Sequence, residues 1–202
     1  MNLLRIFTAI ALLVSEMVSA ESKPQLVPIQ DGGIVELEIE SDIGIDTFDY
    51  LAANINRPGI KLVFINIDSR GGSLQAALKT VDLFKSTPAK IVCRDEKLAA
   101  SAAMVIFQAC DLRTMEADAT MVAHGAKMEM RPGAVIGHLE ATQLANAIHA
   151  LNETCVQLML GRTSVSPLLA LQLFDGGVDM EIDAAMAVEI GAVDLVLPKQ
   201  LD

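Results

Sequence analysis

The sequence predicts an α/β fold in which parallel strands alternate with helices, and three observations support this class. Short apolar runs rich in β-branched residues, KLVFINI at 61–67 and AKIVC at 89–93, are typical of buried parallel strands. Segments with helical periodicity separate the strands, at 46–57 and 73–87. Hydrophobic residues make up 52% of the 202 residues and charged residues 20%, which favours a globular chain over a disordered one. Such alternation indicates right-handed βαβ connections.

The remaining elements follow from local patterns. GIVELEIE (33–40) alternates apolar and acidic residues, as a half-exposed strand does, and TMVAH (120–124) predicts another strand. The Ala-rich segment 98–109 predicts a helix, because alanine is the best helix former. A long helix is predicted over 138–160, and 183–198 predicts a short helix, a glycine stop and a last strand. The long helix carries one apolar stripe, formed by Leu144, Ile148, Leu151, Cys155 and Leu158.

The N-terminus has the features of a secretory signal. MNLLR carries one positive charge, IFTAIALLV is a short apolar core, and VSA supplies small residues before a cut after Ala20. We therefore expect a signal peptide at 1–20, a single domain at 21–202, and a periplasmic or secreted mature protein. The apolar run is short for a bilayer span, so no stable membrane span is expected after cleavage. An uncleaved anchor or a buried element is the alternative.

Composition excludes several classes of function. The net charge of −11 and the aromatic content of 3% oppose nucleic-acid binding, and acidic tracts such as ELEIESDIGID predict solvated faces. No cysteine or histidine spacing indicates a metal site, and no cofactor is expected. Cys93 and Cys110 flank the segment around Ser101 and are able to form a disulfide in an oxidising compartment. We favour the alternative, that these two and Cys155 are small core residues.

Two segments that follow predicted strands carry residue types suited to catalysis. In DSRGGS, the paired glycines Gly71 and Gly72 let backbone N–H groups form a nest for an oxyanion, although they also suit any tight strand–helix turn. In KLAASAAMVIF, Ser101 lies among small residues at a predicted helix start, where free N–H groups such as that of Ala102 stabilise negative charge. From this segment alone, a buried serine bonded to its own helix is the simpler interpretation.

A serine nucleophile needs a base and a group that orients the base. His124 ends a predicted strand and is the candidate base, whereas His138 and His149 lie on the long helix, where solvated histidines are expected. Residue chemistry alone leaves the third group open among four carboxylates: Asp175, Asp179, Asp183 and Asp194.

Four motifs, INIDSRGGS, LAASAAM, MVAHGAK and AMAVEIGAVD, together resemble the proteolytic subunit of the Clp protease, over roughly residues 34–197. The resemblance implies a crotonase-like, ClpP-like fold of stacked ββα units with a long protruding handle helix. It implies Ser101 as nucleophile, His124 as base and, counting back from the final motif, Asp179 as third member of the triad. It further implies Gly72 and Ala102 as backbone oxyanion donors.

The chain departs from the family pattern at several positions. Arg70 replaces the usual proline before the glycines, and Ala102 replaces the methionine that usually follows the nucleophile. The arginine that usually adjoins the triad aspartate is absent, since Val178 and Met180 flank Asp179. The resemblance implies a homo-oligomer held together by the long helix. Export excludes the usual ATP-driven unfoldase partner.

These observations predict an exported serine peptidase that hydrolyses short peptides or unfolded chains. One variant is a Ser–Lys dyad, in which Lys97 or Lys127 is the base. An alternative from another class is a non-catalytic oligomeric binding or assembly protein on the same fold. A third is an acyl-CoA enzyme, which the exported location disfavours because coenzyme A is cytoplasmic.

Overall fold

The computed structural model describes residues 24–128, 130–175 and 177–198 of the chain, so the predicted signal peptide at 1–20 lies outside the described residues. In chain order the elements are β1 (Ile34–Ile39), α1 (Ile45–Ile55), β2 (Leu62–Ser69), α2 (Leu74–Ser86), β3 (Lys90–Ala100), α3 (Ala102–Gln108), β4 (Leu112–Glu116), β5 (Thr120–Ala123), α4 (His138–Arg162), α5 (Pro167–Asp175), β6 (Met180–Asp183), α6 (Ala184–Glu189) and β7 (Leu195–Leu197). The predicted α/β class is confirmed.

The sheet is organised around β3. Strands β1, β2, β3, β4 and β7 lie side by side in parallel. The first half of the 11-residue β3 pairs with β4, whereas its last residues, Leu98–Ala100, pair with β5. Strand β6 then adds antiparallel to β5. Because β3 serves two strand neighbours in succession on one side, its carboxyl end lies where the sheet divides, and the chain leaves it there into α3.

The core forms between the inner face of the sheet and the helices. Apolar side chains at alternate positions, such as Leu37 on β1 and Ile65 on β2, are fully buried, while the acidic side chains between those of β1 are exposed, as the sequence predicts. Each fully buried side chain of this kind contributes roughly 1.5–3 kcal/mol of transfer free energy. Every residue of α3 is buried, which explains its small and apolar composition. The core therefore encloses the helix that follows Ser101.

The prediction of a helix from residue 98 is wrong at its start. Leu98, Ala99 and Ala100 belong to β3, and the helix begins at Ala102. Pairing of these three residues with β5 supplies backbone hydrogen bonds and burial that outweigh the modest helix preference of alanine. Ser101 consequently lies at the junction between strand and helix.

Two strands, β4 and β6, carry no strand signal in the sequence. In β4, the buried Arg113 and Glu116 are charged and so conceal the strand pattern. Arg113 is buried because it pairs with Asp194, with 2.7 Å between Nη2 and Oδ1, and Glu116 is buried because it pairs with Arg94. Paired charges of this kind are visible only once the fold brings the partners together.

The cysteines differ from the arrangement favoured by the sequence. Cys93 and Cys110 form a disulfide, with 5.9 Å between their Cα atoms, and only Cys155 remains a free, buried thiol. Burial raises the pKa of the Cys155 thiol to about 11, so it is protonated and unreactive at neutral pH. The disulfide closes a loop with a sequence separation of 17, which stabilises the fold by about 3 kcal/mol. This loop contains Ser101.

Asp95 is a buried carboxyl on β3 without a counter-charge. Its side chain is fully buried, and neither oxygen has a hydrogen-bond partner among the described residues. Ile67 and Met115 lie opposite it on the neighbouring strands. Burial, together with the negative charge of Asp68, raises the pKa of Asp95 to about 8. The folded protein therefore holds this carboxyl neutral at pH 7.

We expect Asp95→Asn to stabilise the protein increasingly as the pH rises. Between pH 4 and pH 8 the unfolded chain ionises Asp95 while the folded protein keeps it protonated, so wild type loses stability in this window. The gain in free energy of unfolding, measured by urea denaturation, should grow by a few kcal/mol from pH 4 to pH 8.5. The matched control is Asp82→Asn, an exposed carboxylate, which should show no such growth. A pH-independent gain in Asp95→Asn would contradict the assignment.

Candidate active site

Ser101 occupies a strained backbone turn between β3 and α3. Ser101 has a φ of 54° and a ψ of −120°. Among the residues that the structure describes, no other non-glycine residue has a positive φ. Such a conformation costs on the order of 1–3 kcal/mol and persists because the surroundings enforce it. Its N–H donates to the carbonyl of Val122 on β5 at 2.8 Å, and its carbonyl accepts from the N–H of Val105 at 3.2 Å. The turn thus presents a serine side chain at the end of a strand, as nucleophile turns do.

The glycine loop, residues 69–73, packs directly against this turn. A Cβ built on Gly71 would lie 2.5 Å from the carbonyl oxygen of Ala100 and 2.7 Å from the Cβ of Ser101. Gly71 also has a φ of +96°, so both space and backbone conformation require glycine. A Cβ on Gly72 would lie 2.5 Å from the carbonyl oxygen of Ile43. The loop therefore approaches Ser101 more closely than any residue with a side chain allows.

Hydrogen bonds hold the glycine loop in place. The buried hydroxyl of Ser69 donates to the carbonyl of Ser41 at 2.6 Å and accepts from the N–H of Gly71 at 3.2 Å. Ile43 bridges the loop, donating to the carbonyl of Gly71 and accepting from the N–H of Ser73, both at 2.7 Å. Within the described part of the chain, the Gly72 N–H has no acceptor. Together with the N–H of Ala102 in the first turn of α3, it is available to a ligand.

A cavity of about 730 Å³ connects the predicted site residues other than Asp179, which does not line it. Ser101, His124, Gly72 and Ala102 all line it. Its remaining walls include an apolar group of side chains contributed by α2, α3, α4 and α5: Leu74, Val105, Leu151, Cys155 and Phe174. The cavity therefore combines backbone donors, a hydroxyl, an imidazole and an apolar surface, and the charged residues Asp42, Arg70 and Lys127 also line it.

His124 follows β5 and faces the cavity, but it is not bonded to the other predicted triad members. Its Nδ1 lies 2.7 Å from the carbonyl oxygen of Gly125. Among the described residues, no hydrogen bond joins its imidazole to Ser101 or to Asp179. The other two histidines, His138 and His149, lie on α4 and are exposed, as predicted.

Asp179 pairs with Lys127 in this structure. Its Oδ1 lies 2.8 Å from Lys127 Nζ, and both side chains are more than half exposed. The hydrogen bond from Lys127, followed by the positive charges of Lys127 and His124, lowers the pKa of the Asp179 carboxyl. The imidazole is thus close enough to interact electrostatically with the carboxylate without bonding to it. The role of Asp179 as third triad member remains a prediction.

The other three candidate carboxylates have separate structural roles. Asp194 binds the guanidinium of Arg113, and Asp183 caps α6 by accepting from the N–H of Met186 at 2.8 Å. Asp175, at the end of α5, accepts from the side-chain amide of Asn152 at 3.4 Å. Asp194 and Asp183 are therefore engaged in holding the fold.

Asn152 is a residue of the site that sequence analysis did not identify. It lies on α4, is 6% exposed, and lines the cavity. Its Oδ1 accepts from the N–H of Ala126 at 2.7 Å. The available signal was a polar residue directly beside the apolar stripe, between Leu151 and Cys155, where a buried amide needs partners.

The lysines of the dyad variant differ in their surroundings. Lys97 is not part of the cavity wall and pairs with Asp68 at 2.9 Å. That contact raises the pKa of Lys97, which is opposite to what a general base requires. Lys127 lines the cavity but is 61% exposed and paired with Asp179, so it lacks the desolvation that a lysine base needs.

Two further features of the described residues concern metals and membranes. They contain no cluster of three or more histidine, cysteine, aspartate or glutamate residues that could hold a metal ion. Of the helices that the structure describes, none combines the length and the apolar character needed to cross a bilayer.

A parallel-sheet α/β fold with a serine at a strained strand–helix turn, beside a glycine loop and a histidine, defines the class of candidate serine hydrolases. Comparison with known families makes the assignment more specific. The family model described as Clp protease matches residues 35–200, and the chain belongs to this family. No curated protein sequence matches the chain.

The fold agrees with a solved member of the family. The chain is similar to the structure of a point mutant of ClpP1 from Listeria monocytogenes, with a TM-score of 0.68 and 17% identity. The match covers 82% of this chain and 92% of that chain. The predicted ClpP-like fold is therefore confirmed, and α4 is the long helix that the sequence predicts as the handle. Family and fold are those of a peptidase.

We expect Gly71→Ala to slow the reaction of Ser101 with a fluorophosphonate probe strongly while the protein stays folded. The added Cβ would collide with the backbone around Ser101 and displace the Ser101 hydroxyl from the N–H groups of Gly72 and Ala102. A displacement of about 1 Å is enough to lower reactivity about 100-fold. Gly59→Ala is the matched control, because Gly59 has a similar φ of +87° but open space around the added Cβ. Equal labelling of both variants would contradict the packing argument.

Proposed function

We propose that this protein is an exported serine peptidase that cleaves short peptides or already unfolded chains. The observation that carries the proposal is the strained turn at Ser101, which directs a serine into the cavity shared with His124 and the glycine loop. Strained backbone conformations of this kind cluster at active sites and ligand-binding turns. Membership of the Clp protease family gives independent support for peptidase chemistry.

In the proposed mechanism, Ser101 Oγ attacks the carbonyl carbon of the substrate as His124 Nε2 accepts the hydroxyl proton. The N–H groups of Gly72 and Ala102 stabilise the oxyanion of the tetrahedral intermediate. His124 then returns the proton to the leaving amine, and the peptide C–N bond breaks. A water molecule, deprotonated by His124, hydrolyses the acyl-enzyme and regenerates the serine.

Asp179 is the proposed third member of the triad. Its carboxylate lies within electrostatic range of His124, so it favours the imidazolium that forms when the base accepts a proton. To bond the ring directly, it has to leave Lys127, which holds it at 2.8 Å. In the described arrangement its contribution is therefore one of charge, and the partner of Nδ1 is the carbonyl oxygen of Gly125, which accepts the hydrogen bond.

The proposed substrates need no cofactor, nucleic acid or ATP-driven unfoldase. The cavity of about 730 Å³ accommodates a peptide side chain together with the adjoining main chain. The apolar part of its wall suits an apolar side chain of the substrate, whereas Asp42, Arg70 and Lys127 supply charged groups elsewhere in the wall. Outside the cytoplasm ATP is normally absent, so only chains that are already unfolded, or short peptides, would reach Ser101.

Export of the chain is supported by its chemistry. A fully buried disulfide between Cys93 and Cys110 suits an oxidising compartment such as the periplasm. We expect the mature protein, recovered from cell fractions, to begin at Glu21 with its apolar leader removed. Intact-mass measurement and N-terminal sequencing test this expectation. A cytoplasmic protein that begins at Met1 would contradict it.

Self-association through α4 is part of the proposal. The first half of this 25-residue helix is exposed or half-buried throughout, so it projects from the rest of the chain. The helix and the segment before it expose several large apolar side chains: Met128, Met130, Val135, Ile136 and Leu139. An apolar surface of this kind favours contact with a second copy of the chain.

One observation favours a second candidate, a non-catalytic oligomeric binding or assembly protein. The imidazole of His124 bonds neither Ser101 nor Asp179, and Asp179 is engaged with Lys127. A site that has lost its reaction would tolerate this arrangement. The same cavity would then bind a peptide without cleaving it.

The deciding experiment is fluorophosphonate labelling of the purified mature protein. Wild type should be labelled at Ser101, as located by peptide mapping, and Ser101→Ala should not be labelled. Ser86→Ala, which changes an exposed serine at the end of α2, is the matched control and should label like wild type. A folded wild-type protein that is not labelled would favour the non-catalytic candidate.

A further inference from the structure

The peptide unit between Gly125 and Ala126 is hydrogen-bonded at both ends. Its carbonyl oxygen lies 2.7 Å from His124 Nδ1, and its N–H donates to Asn152 Oδ1 at 2.7 Å. The two bonds share one rigid amide plane, so the position of the Asn152 side chain fixes the position of the carbonyl. Hydrogen bonds at opposite ends of an amide also polarise each other.

The carbonyl bond determines which imidazole nitrogen of His124 carries the proton. A carbonyl oxygen only accepts, so a contact of 2.7 Å requires Nδ1 to be the donor. In the neutral ring, Nε2 then has the free lone pair, which is the form that a general base needs. The Gly125 carbonyl thus provides the orienting bond that a carboxylate provides in a Ser-His-Asp triad.

Asn152 is itself held in one orientation. The Ala126 N–H requires an acceptor and the Asp175 carboxylate requires a donor, so Oδ1 faces Ala126 and Nδ2 faces Asp175, 3.4 Å from its Oδ1. The side chain is 6% exposed. A Cβ on Gly125 would lie 2.5 Å from the Phe174 carbonyl oxygen and 3.3 Å from Asn152 Nδ2, so the His124 segment packs tightly against this amide.

We propose that Asn152 is a positioning residue, which sets the tautomer of His124 through the Gly125–Ala126 peptide unit. The role rests on the proposed function in that it serves the base of the reaction. It assigns the orientation of the ring to an amide on α4, while Asp179 acts through its charge. It also links the base to the helix predicted to mediate self-association.

The test is ¹⁵N NMR of the histidine rings in the mature, oxidised protein at slightly alkaline pH. In wild type, the ¹⁵N shifts of His124 should show the tautomer with the proton on Nδ1. Asn152→Leu should produce a mixture of tautomers, because the peptide unit loses its anchor. His138 and His149, which lie outside this contact, are internal controls and should not change. A wild-type ring with the proton on Nε2 would overturn the proposal even if every variant misfolded.

A charge-conserving exchange separates positioning from general packing. In Asn152→Asp/Asp175→Asn, residue 152 still offers an oxygen to the Ala126 N–H and still pairs with residue 175 through an amide. The exchange should restore the wild-type tautomer, and labelling of Ser101, slowed about 100-fold in Asn152→Leu, should recover. An unchanged tautomer in folded Asn152→Leu, or no recovery in a folded exchange variant, would overturn the proposal.

The readouts also separate this inference from the proposed function. The tautomer reports on His124 without any turnover. A wild-type protein with the predicted tautomer but no labelling would retain the role of Asn152 and refute the peptidase. If wild type is labelled but the His124 tautomer is unchanged in Asn152→Leu, the peptidase proposal is retained and the role of Asn152 is refuted.

Discussion

The division of pairing along β3 is the constraint on which the rest of the structure depends. Its first half pairs with β4 and its last residues pair with β5, so the strand continues beyond the point where the sheet divides. The chain then turns abruptly into a helix that is buried on every side. That turn leaves Ser101 no relaxed conformation, because the Val122 carbonyl holds its N–H and the glycine loop occupies the space beside it.

The polar groups of the site are arranged around this turn in two layers. Gly72 and Ala102 offer N–H groups without side chains in the way, and His124 faces the same cavity from the end of β5. Behind His124, an amide on α4 and a carbonyl in the following loop define where the ring sits. The ion pair between Lys127 and Asp179 is exposed, so solvent screens it. The position of the His124 ring is therefore restrained by the Gly125 carbonyl and by Asn152, which is buried.

The sequence was informative where a single residue type satisfies a local requirement. Gly71 was recognisable because close approach excludes every side chain, and the apolar strands were recognisable from their β-branched residues. It was uninformative where the requirement is tertiary. The end of β3 is alanine-rich, and only pairing with β5 makes it a strand. Charged residues in β4 concealed the apolar pattern of a buried strand. The role of Asn152 depends on its contact with the loop at Ala126, which is remote in the sequence. The disulfide was open for the same reason, because spacing alone does not bring Cys93 to Cys110.

The most direct measurement of the central claim, that the Ser101 turn presents an activated nucleophile to the oxyanion donors, is a crystal structure of the mature protein after treatment with a peptidyl phosphonate. We predict a covalent bond from phosphorus to Ser101 Oγ, with the phosphoryl oxygen within hydrogen-bond distance of the N–H groups of Gly72 and Ala102. The peptidyl side chain should lie in the apolar part of the cavity. A protein that crystallises with the phosphonate unreacted, or bonded elsewhere, would contradict it.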